Sequence, residues 1–293
     1  MFIATLIAAD RLSGGDISAA EDALRSAGLS PYGRSWIEAG MACDILISAE
    51  PERALEVLEG LLPGIDVVVQ GEATRRRKLL VADMDSTMIT VECIDELADY
   101  AGVKAEVAEV TERAMRGEIP FETALKERVT LLAGLGEADI DRCREERVRA
   151  MPGAGALVRT MRREGAYTVL VSGGFTRFAD PVARELGFQR VLANRLVIRE
   201  GRLTGEIEPP VVDANGKKEA LLDAAHRCGV RLDSSLAVGD GANDIPMLEA
   251  AGLGVAYRAK PAAAAVAGAR IMHNDLTALL YAQGYPRSEW ETG

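Results

Sequence analysis

The sequence predicts an α/β protein: a doubly wound parallel sheet with a small helical insertion, preceded by a separate α+β unit of ferredoxin-like pattern. Three observations predict it. Leu79-Leu80-Val81-Ala82, Thr168-Val169-Leu170-Val171 and Ser235-Leu236-Ala237-Val238 are short apolar strands of the kind buried on both faces of a parallel sheet. Helical stretches over 153–164 and 216–228 precede the second and third, the alternation of a doubly wound fold. Charge also divides the chain. Residues 1–74 hold twelve Asp and Glu against four Arg, a net of −8 out of −11 for all 293 residues, and Arg75-Arg76-Arg77-Lys78 then reverses the sign. Such a break marks a junction between units 1–74 and 75–293, and this length suits two domains of roughly 150 residues.

Each element follows from local pattern. Apolar and β-branched runs separated by Gly14-Gly15, Gly40 and Pro63-Gly64 read as strand 2–9, helix 16–27, strands 33–39 and 42–48, helix 51–61 and strand 65–70. This is a βαββαβ order. The unit has no histidine and no cysteine cluster, so it is expected to do no chemistry. Its two helices cover one sheet face and leave the other face, or an edge, for a partner; a homodimer through this unit is expected. After strand 79–82, residues 93–150 read almost wholly as helix, with breaks at Gly102, Gly117–Pro120 and Gly134–Gly136. That is far longer than a crossover, and it predicts a helical cap. Residues 195–208 read as a hairpin turning at Glu200-Gly201, and the alanine-rich 262–267 as helix.

Composition excludes several classes. With 48% apolar and 27% charged residues the chain can bury a sizeable core. A charge of −11 repels nucleic acid and anionic membrane surfaces. No apolar run approaches the ~18 residues of a membrane span, and the start, MFIATLIAADRLSGGD, has no basic region ahead of its apolar one. A signal peptide is therefore not expected. Cys43, Cys93, Cys143 and Cys228 lie 50, 50 and 85 residues apart, without metal or redox spacing, and read as reduced thiols of a cytoplasmic protein.

Three strand ends carry polar groups. Asp83-Met84-Asp85-Ser86-Thr87 follows the first strand. Aspartates at i and i+2 face one side of an extended chain, and two such charges after a buried strand are costly unless something holds them. Val171-Ser172-Gly173-Gly174 ends a strand in a small hydroxyl and two glycines, a loop whose N–H groups suit an anion. Gly239-Asp240-Gly241-Ala242-Asn243-Asp244 offers oxygen ligands for a hard cation such as Mg²⁺. Lys217 or Lys218 can supply positive charge for a phosphoryl group. Alone, each fits an ordinary turn or helix cap.

In this order, DMDST, VSGG, a lysine and GDGAND resemble the four motifs of the haloacid dehalogenase superfamily of phosphatases, over residues 79 to about 280. DMDST followed by Glu92 is similar more narrowly to the phosphoserine phosphatase family. The resemblance implies hydrolysis of phosphoserine, with Asp83 as nucleophile and Asp85 as acid and base. It implies Mg²⁺ on Asp83, the Asp85 carbonyl and Asp240, with Asp244 behind them or as a further ligand. It implies Ser172, Gly173, Lys217 and Asn243 around the phosphate or substrate. Of the two lysines, Lys217 fits the motif better. Glu92 would meet the ammonium and Arg128 the carboxylate, with Lys126, Arg113 and Arg116 as nearby alternatives. The first unit looks like the ACT-type regulatory modules fused to such enzymes. Two alternatives stay open: a phosphotransferase of the same superfamily, and a non-catalytic regulator that binds Mg²⁺ or acyl phosphates.

Overall fold

The computed structural model describes residues 1–116 and 118–292 and contains two sheets. Gly117, read as part of a helix break, lies outside the described residues. The first unit runs β1 (Phe2–Ala8), α1 (Gly14–Ser26), β2 (Pro31–Glu38), β3 (Ala42–Ile47), α2 (Pro51–Leu58) and β4 (Ile65–Gly71). Its sheet order is β2-β3-β1-β4, all antiparallel, which is the ferredoxin-like order. Alternation decides its core: Ala4, Leu6, Cys43, Ile45, Val67 and Val69 point toward Ile17, Ala20 and Leu24 of α1 and toward Ala54 and Leu58 of α2. Helix α1 begins two residues earlier than the apolar pattern suggests. Ser13 and Asp16 form a reciprocal capping box that sets its start.

The second unit runs β5 (Leu79–Ala82), α3 (Cys93–Ala101), α4 (Lys104–Met115), α5 (Phe121–Leu131), α6 (Glu137–Arg147), α7 (Ala154–Arg163), β6 (Tyr167–Phe175), α8 (Thr176–Leu186), β7 (Arg190–Arg199), β8 (Arg202–Glu208), α9 (Ala214–Cys228), β9 (Ser235–Gly239), α10 (Ile245–Ala250), β10 (Leu253–Tyr257), α11 (Pro261–Val266), β11 (Ala269–Ile271) and α12 (Ala278–Ala282). Seven strands lie in the order β11-β10-β9-β5-β6-β7-β8, parallel except for β8. Strands β5 and β9 are buried along their whole length. Each fully buried Val or Leu contributes about 1.5–3 kcal/mol, so these central strands anchor the fold. The β7–β8 turn falls at Glu200 and Gly201, both with positive φ, as a two-residue hairpin turn requires. Helices α3–α6 leave the sheet after β5 and return before α7. Thr90 N–H donates to Arg149 O (3.0 Å) and Met151 N–H to Met88 O (2.9 Å), pinning both ends of this insertion together.

One expectation is corrected. The helix-free face of the first sheet is not open to a partner, because the second unit covers it. Ile7, Ala42 and Val68 join one core with Leu279 and Leu280 of α12. Polar residues on that face are matched too. Asp66 accepts the backbone N–H groups of Met272, His273 and Asn274. Arg75 donates to both oxygens of Asp44 (2.7 and 3.1 Å), and Gln70 reaches Ala282 O (2.7 Å). The basic run 75–78 is thus part of a seam: Arg77 donates to Gln70 and to Asp233 O. No helix among the described residues is long and apolar enough to cross a membrane.

Candidate active site

From β5 the chain builds β6 and β7 to one side and β9, β10 and β11 to the other. That reversal opens a crevice at the carboxyl ends of β5 and β9, where Asp83 and Asp240 sit. Lys217, in the first turn of α9, reaches into it and is 1% exposed. Asp213 caps that helix by accepting Gly216 N–H at 2.8 Å, which fixes the turn. Lys217 Nζ lies 2.7 Å from both Asp83 Oδ1 and Asp244 Oδ1, whereas Lys218 is exposed. The other oxygen of Asp244 accepts the N–H groups of Asp240 and Gly241 (3.1 and 3.0 Å). A Cβ at Gly239 would stand 2.4 Å from the Asp244 carboxyl carbon, so only glycine lets that carboxylate turn back on its own loop. Thr87 donates to Asp240 (3.3 Å), and Lys260 Nζ is 3.7 Å from the same carboxylate.

Asp83, Asp240 and Asp244 are buried, and each offers an oxygen within 4.8 Å of the others. With Asp85, four carboxylates crowd one end of the sheet, and the buried Lys217 ammonium pairs with two of them, Asp83 and Asp244. Burial, with the Asp244 charge adding and Lys217 opposing, holds the Asp83 carboxyl well above the usual range. Burial first, then Glu92, pushes Asp85 up to about 7, and burial raises Asp240 as well. Burial disfavours the Lys217 charge, but Asp244 and Asp83 outweigh it and raise its pKa. An all-oxygen donor set short of positive charge fits a hard divalent cation.

The two motif aspartates turn to different neighbours. Asp83 meets Lys217, whereas Asp85 Oδ1 accepts Cys93 N–H (3.3 Å). A Cβ at Gly174 would lie 2.9 Å from Asp85 Oδ2, so that glycine admits Asp85 to the loop after Ser172. The Ser172 hydroxyl accepts Gly174 N–H at 2.8 Å and shapes this loop. Asn194 of β7 was not singled out from the sequence. It is buried, donates to Gly173 O (2.8 Å) and accepts Val212 N–H (2.7 Å), tying the loop to the chain leading into α9. Nothing marks one asparagine in a strand except its polarity among apolar neighbours. Asn243 is half-buried on the loop after β9.

Above the crevice, Glu92 ends the turn into α3 and accepts the Ser86 hydroxyl at 2.6 Å. Ser86 holds a left-handed φ of 55°, which is unfavourable for serine, and its hydroxyl bond accompanies that strain. Arg128 of α5 is half-buried; burial lowers its pKa while Asp95 and Glu92 oppose this. Among the described residues it makes no ion pair within 4.0 Å. Its alternatives are engaged elsewhere: Lys126 with Glu122, Arg113 with Glu127, and Arg116 with Glu112 and Glu118. Phe121, at the start of α5, was also missed. A Cβ at Gly173 would come within 3.3 Å of its ring, so it roofs the loop.

Comparison with known proteins adds four findings. The model of the haloacid dehalogenase-like hydrolase family matches residues 80–249. A phosphoserine phosphatase of Mycobacterium tuberculosis is 47% identical over 229 residues, which is 78% of this chain and 56% of that protein. The unliganded crystal structure of a probable phosphoserine phosphatase from Vibrio cholerae superposes with a TM-score of 0.78 at 33% identity, covering 98% of this chain and 88% of the other. A phospho-aspartyl intermediate analogue of a phosphoserine phosphatase superposes with a TM-score of 0.66 at 38% identity, over 70% of this chain and 98% of the other. The chain spans 56% to 63% of the length of three curated relatives that it matches.

Proposed function

The chain belongs to the haloacid dehalogenase-like hydrolases, and on that premise we propose that it hydrolyses L-phosphoserine to L-serine and phosphate. The observation that carries this reading is a buried acidic cluster with a buried lysine, roofed by Glu92 and by Arg128, which pairs with no carboxylate within 4.0 Å among the described residues. Two opposite charges above a phosphate site suit the ammonium and carboxylate of an amino acid, and Arg offers the carboxylate a planar fork.

In this reading the Asp83 carboxylate attacks phosphorus and the P–O bond to serine breaks. Asp85, whose pKa near 7 suits either role, gives its proton to the leaving oxygen. It then takes one from the water that attacks the aspartyl-phosphate, releasing phosphate and free Asp83. Lys217 offsets charge on the transferring group, while Ser172 and Gly173 hold its oxygens and Asn243 lies against the substrate. Asp83, the Asp85 carbonyl and Asp240, with Asp244 behind them, would hold Mg²⁺, which supplies the positive charge that lets two anions meet. Residues 1–74 would form an ACT-like regulatory or assembly unit. Every group named here follows Leu79, and the β2 edge is where a second copy would pair. The free thiols of Cys43, Cys93, Cys143 and Cys228 agree with a cytoplasmic enzyme.

Phosphate release from L-phosphoserine, phosphothreonine, a sugar phosphate and p-nitrophenyl phosphate, each with and without Mg²⁺, tests the proposal. Preference for phosphoserine with Mg²⁺ is expected. No phosphate from any of them would overturn it, and transfer to an added alcohol would turn the reading toward a phosphotransferase.

A further inference from the structure

Strand β7 links the candidate site to the cap. Near its middle, Asn194 holds Gly173 O at 2.8 Å, beside the phosphate loop. At its far end the β7–β8 hairpin joins the cap. Gly134 N–H donates to Leu203 O (2.8 Å), Leu203 N–H to Leu135 O (2.9 Å) and Glu137 N–H to Gly201 O (2.9 Å). Arg202 adds a bond to Gly134 O (2.8 Å), and Leu203 is buried in the same core as Val129, Leu132 and Ile140 of the cap. The hairpin also lies directly on α5, the helix that carries Arg128. Gly205 has φ +85°, and a Cβ there would stand 3.2 Å from Thr130 Cα and 3.1 Å from Ala133 Cβ. Thr130 Oγ1 in turn donates to Gly205 O (3.3 Å). Glycine is required twice over, by its backbone conformation and by the closeness of the helix.

We infer that the β7–β8 hairpin is a spacer that sets the separation between the phosphate loop at Ser172–Gly174 and the guanidinium of Arg128, with Gly205 as its positioning residue. One rigid strand pair holds the loop through Asn194 and α5 through Gly205 and Leu203. A substrate with phosphate at one end and carboxylate at the other must match that separation. This rests on the phosphoserine reading of the site. The hairpin touches no reacting atom; it acts through Arg128 and bears on selectivity, not on phosphoryl transfer.

The test is the ratio of kcat/KM for phosphoserine to that for p-nitrophenyl phosphate, which has no carboxylate to place. Misplacing a binding group by about an ångström can cost up to 10²-fold, so Gly205→Ala should lower the ratio about tenfold, through KM for phosphoserine, with p-nitrophenyl phosphate turnover kept. Arg202→Ala, on the exposed tip, loses one bond with no threat to folding and should lower the ratio about threefold. In an Arg128→Ala background neither change should lower the ratio further, because the group being positioned is gone. A role confined to folding predicts instead equal losses on both substrates and effects that add to Arg128→Ala; either result overturns the inference. A wild-type enzyme without preference for phosphoserine overturns the reading of the site, and the spacer with it. A selective wild type whose selectivity survives both substitutions overturns the spacer alone.

Discussion

Two clusters of buried charge lie in this molecule, and they are built on opposite principles. In the seam between the sheets every carboxylate is matched by the chain itself. Asp66 takes three backbone N–H groups and the Asn274 amide, and Asp44 takes the Thr5 hydroxyl and both prongs of Arg75. At the strand ends the buried Lys217 pairs with Asp83 and Asp244, Asp85 and Asp240 crowd beside them, and burial holds Asp83, Asp85 and Asp240 above the ordinary carboxylate range. A buried charge with its donors at hand joins parts of the fold. Several buried charges with too few donors store a demand that a cation and a substrate can meet.

That contrast can be broken experimentally. Asp83→Asn is expected to abolish turnover and any hydroxylamine-sensitive phosphoenzyme while leaving the metal-free melting temperature undiminished, since burial and Asp244 penalise the Asp83 charge more than Lys217 repays it, and Lys217 keeps Asp244 as its partner. Near-normal activity in this variant would rule out the covalent mechanism. For Asp85→Asn, turnover should fall by roughly 10²–10⁴, the usual worth of a positioned proton donor, in a protein that still binds substrate. Arg128→Ala should cost phosphoserine on the order of 2–5 kcal/mol in kcat/KM and p-nitrophenyl phosphate much less. Equal losses would move the carboxylate site to another residue.

The seam should answer in the other direction. Asp66→Ala strands the N–H groups of the 272–274 loop and should lower unfolding free energy by about 3 kcal/mol, with kcat per folded molecule little changed. Denaturant titration beside activity measures both, and a stable but inactive variant would make the seam part of the site. The smallest effect concerns pH. Asp85 titrates near 7 in the fold and near 4 when unfolded, so between those values the unfolded chain has released a proton that the fold keeps. Metal-free protein should therefore melt at lower temperature as pH rises from about 4 to about 7, more steeply than Asp85→Asn, and added Mg²⁺ should reduce the fall. A melting temperature that rises across this window relative to Asp85→Asn would mean that Asp85 is already satisfied within the chain.

The sequence by itself determined what depends on neighbours along the chain. The runs Leu79–Ala82 and Ser235–Val238 read as buried strands, Glu200-Gly201 as a turn, and the acidic loops after those strands as ends of a parallel sheet, all from local pattern. Only the tertiary structure decided contacts between distant segments. It separated Lys217 from Lys218 by one residue's rotation about α9, and Arg128 from three other cations by what each one pairs with. It brought Asn194 and Phe121 to the Ser172–Gly174 loop, and it closed the helix-free face of the first sheet with a segment some two hundred residues away. Periodicity records which face of an element is apolar. It does not record which other element meets that face, and so it does not show whether a buried carboxylate will find its donors.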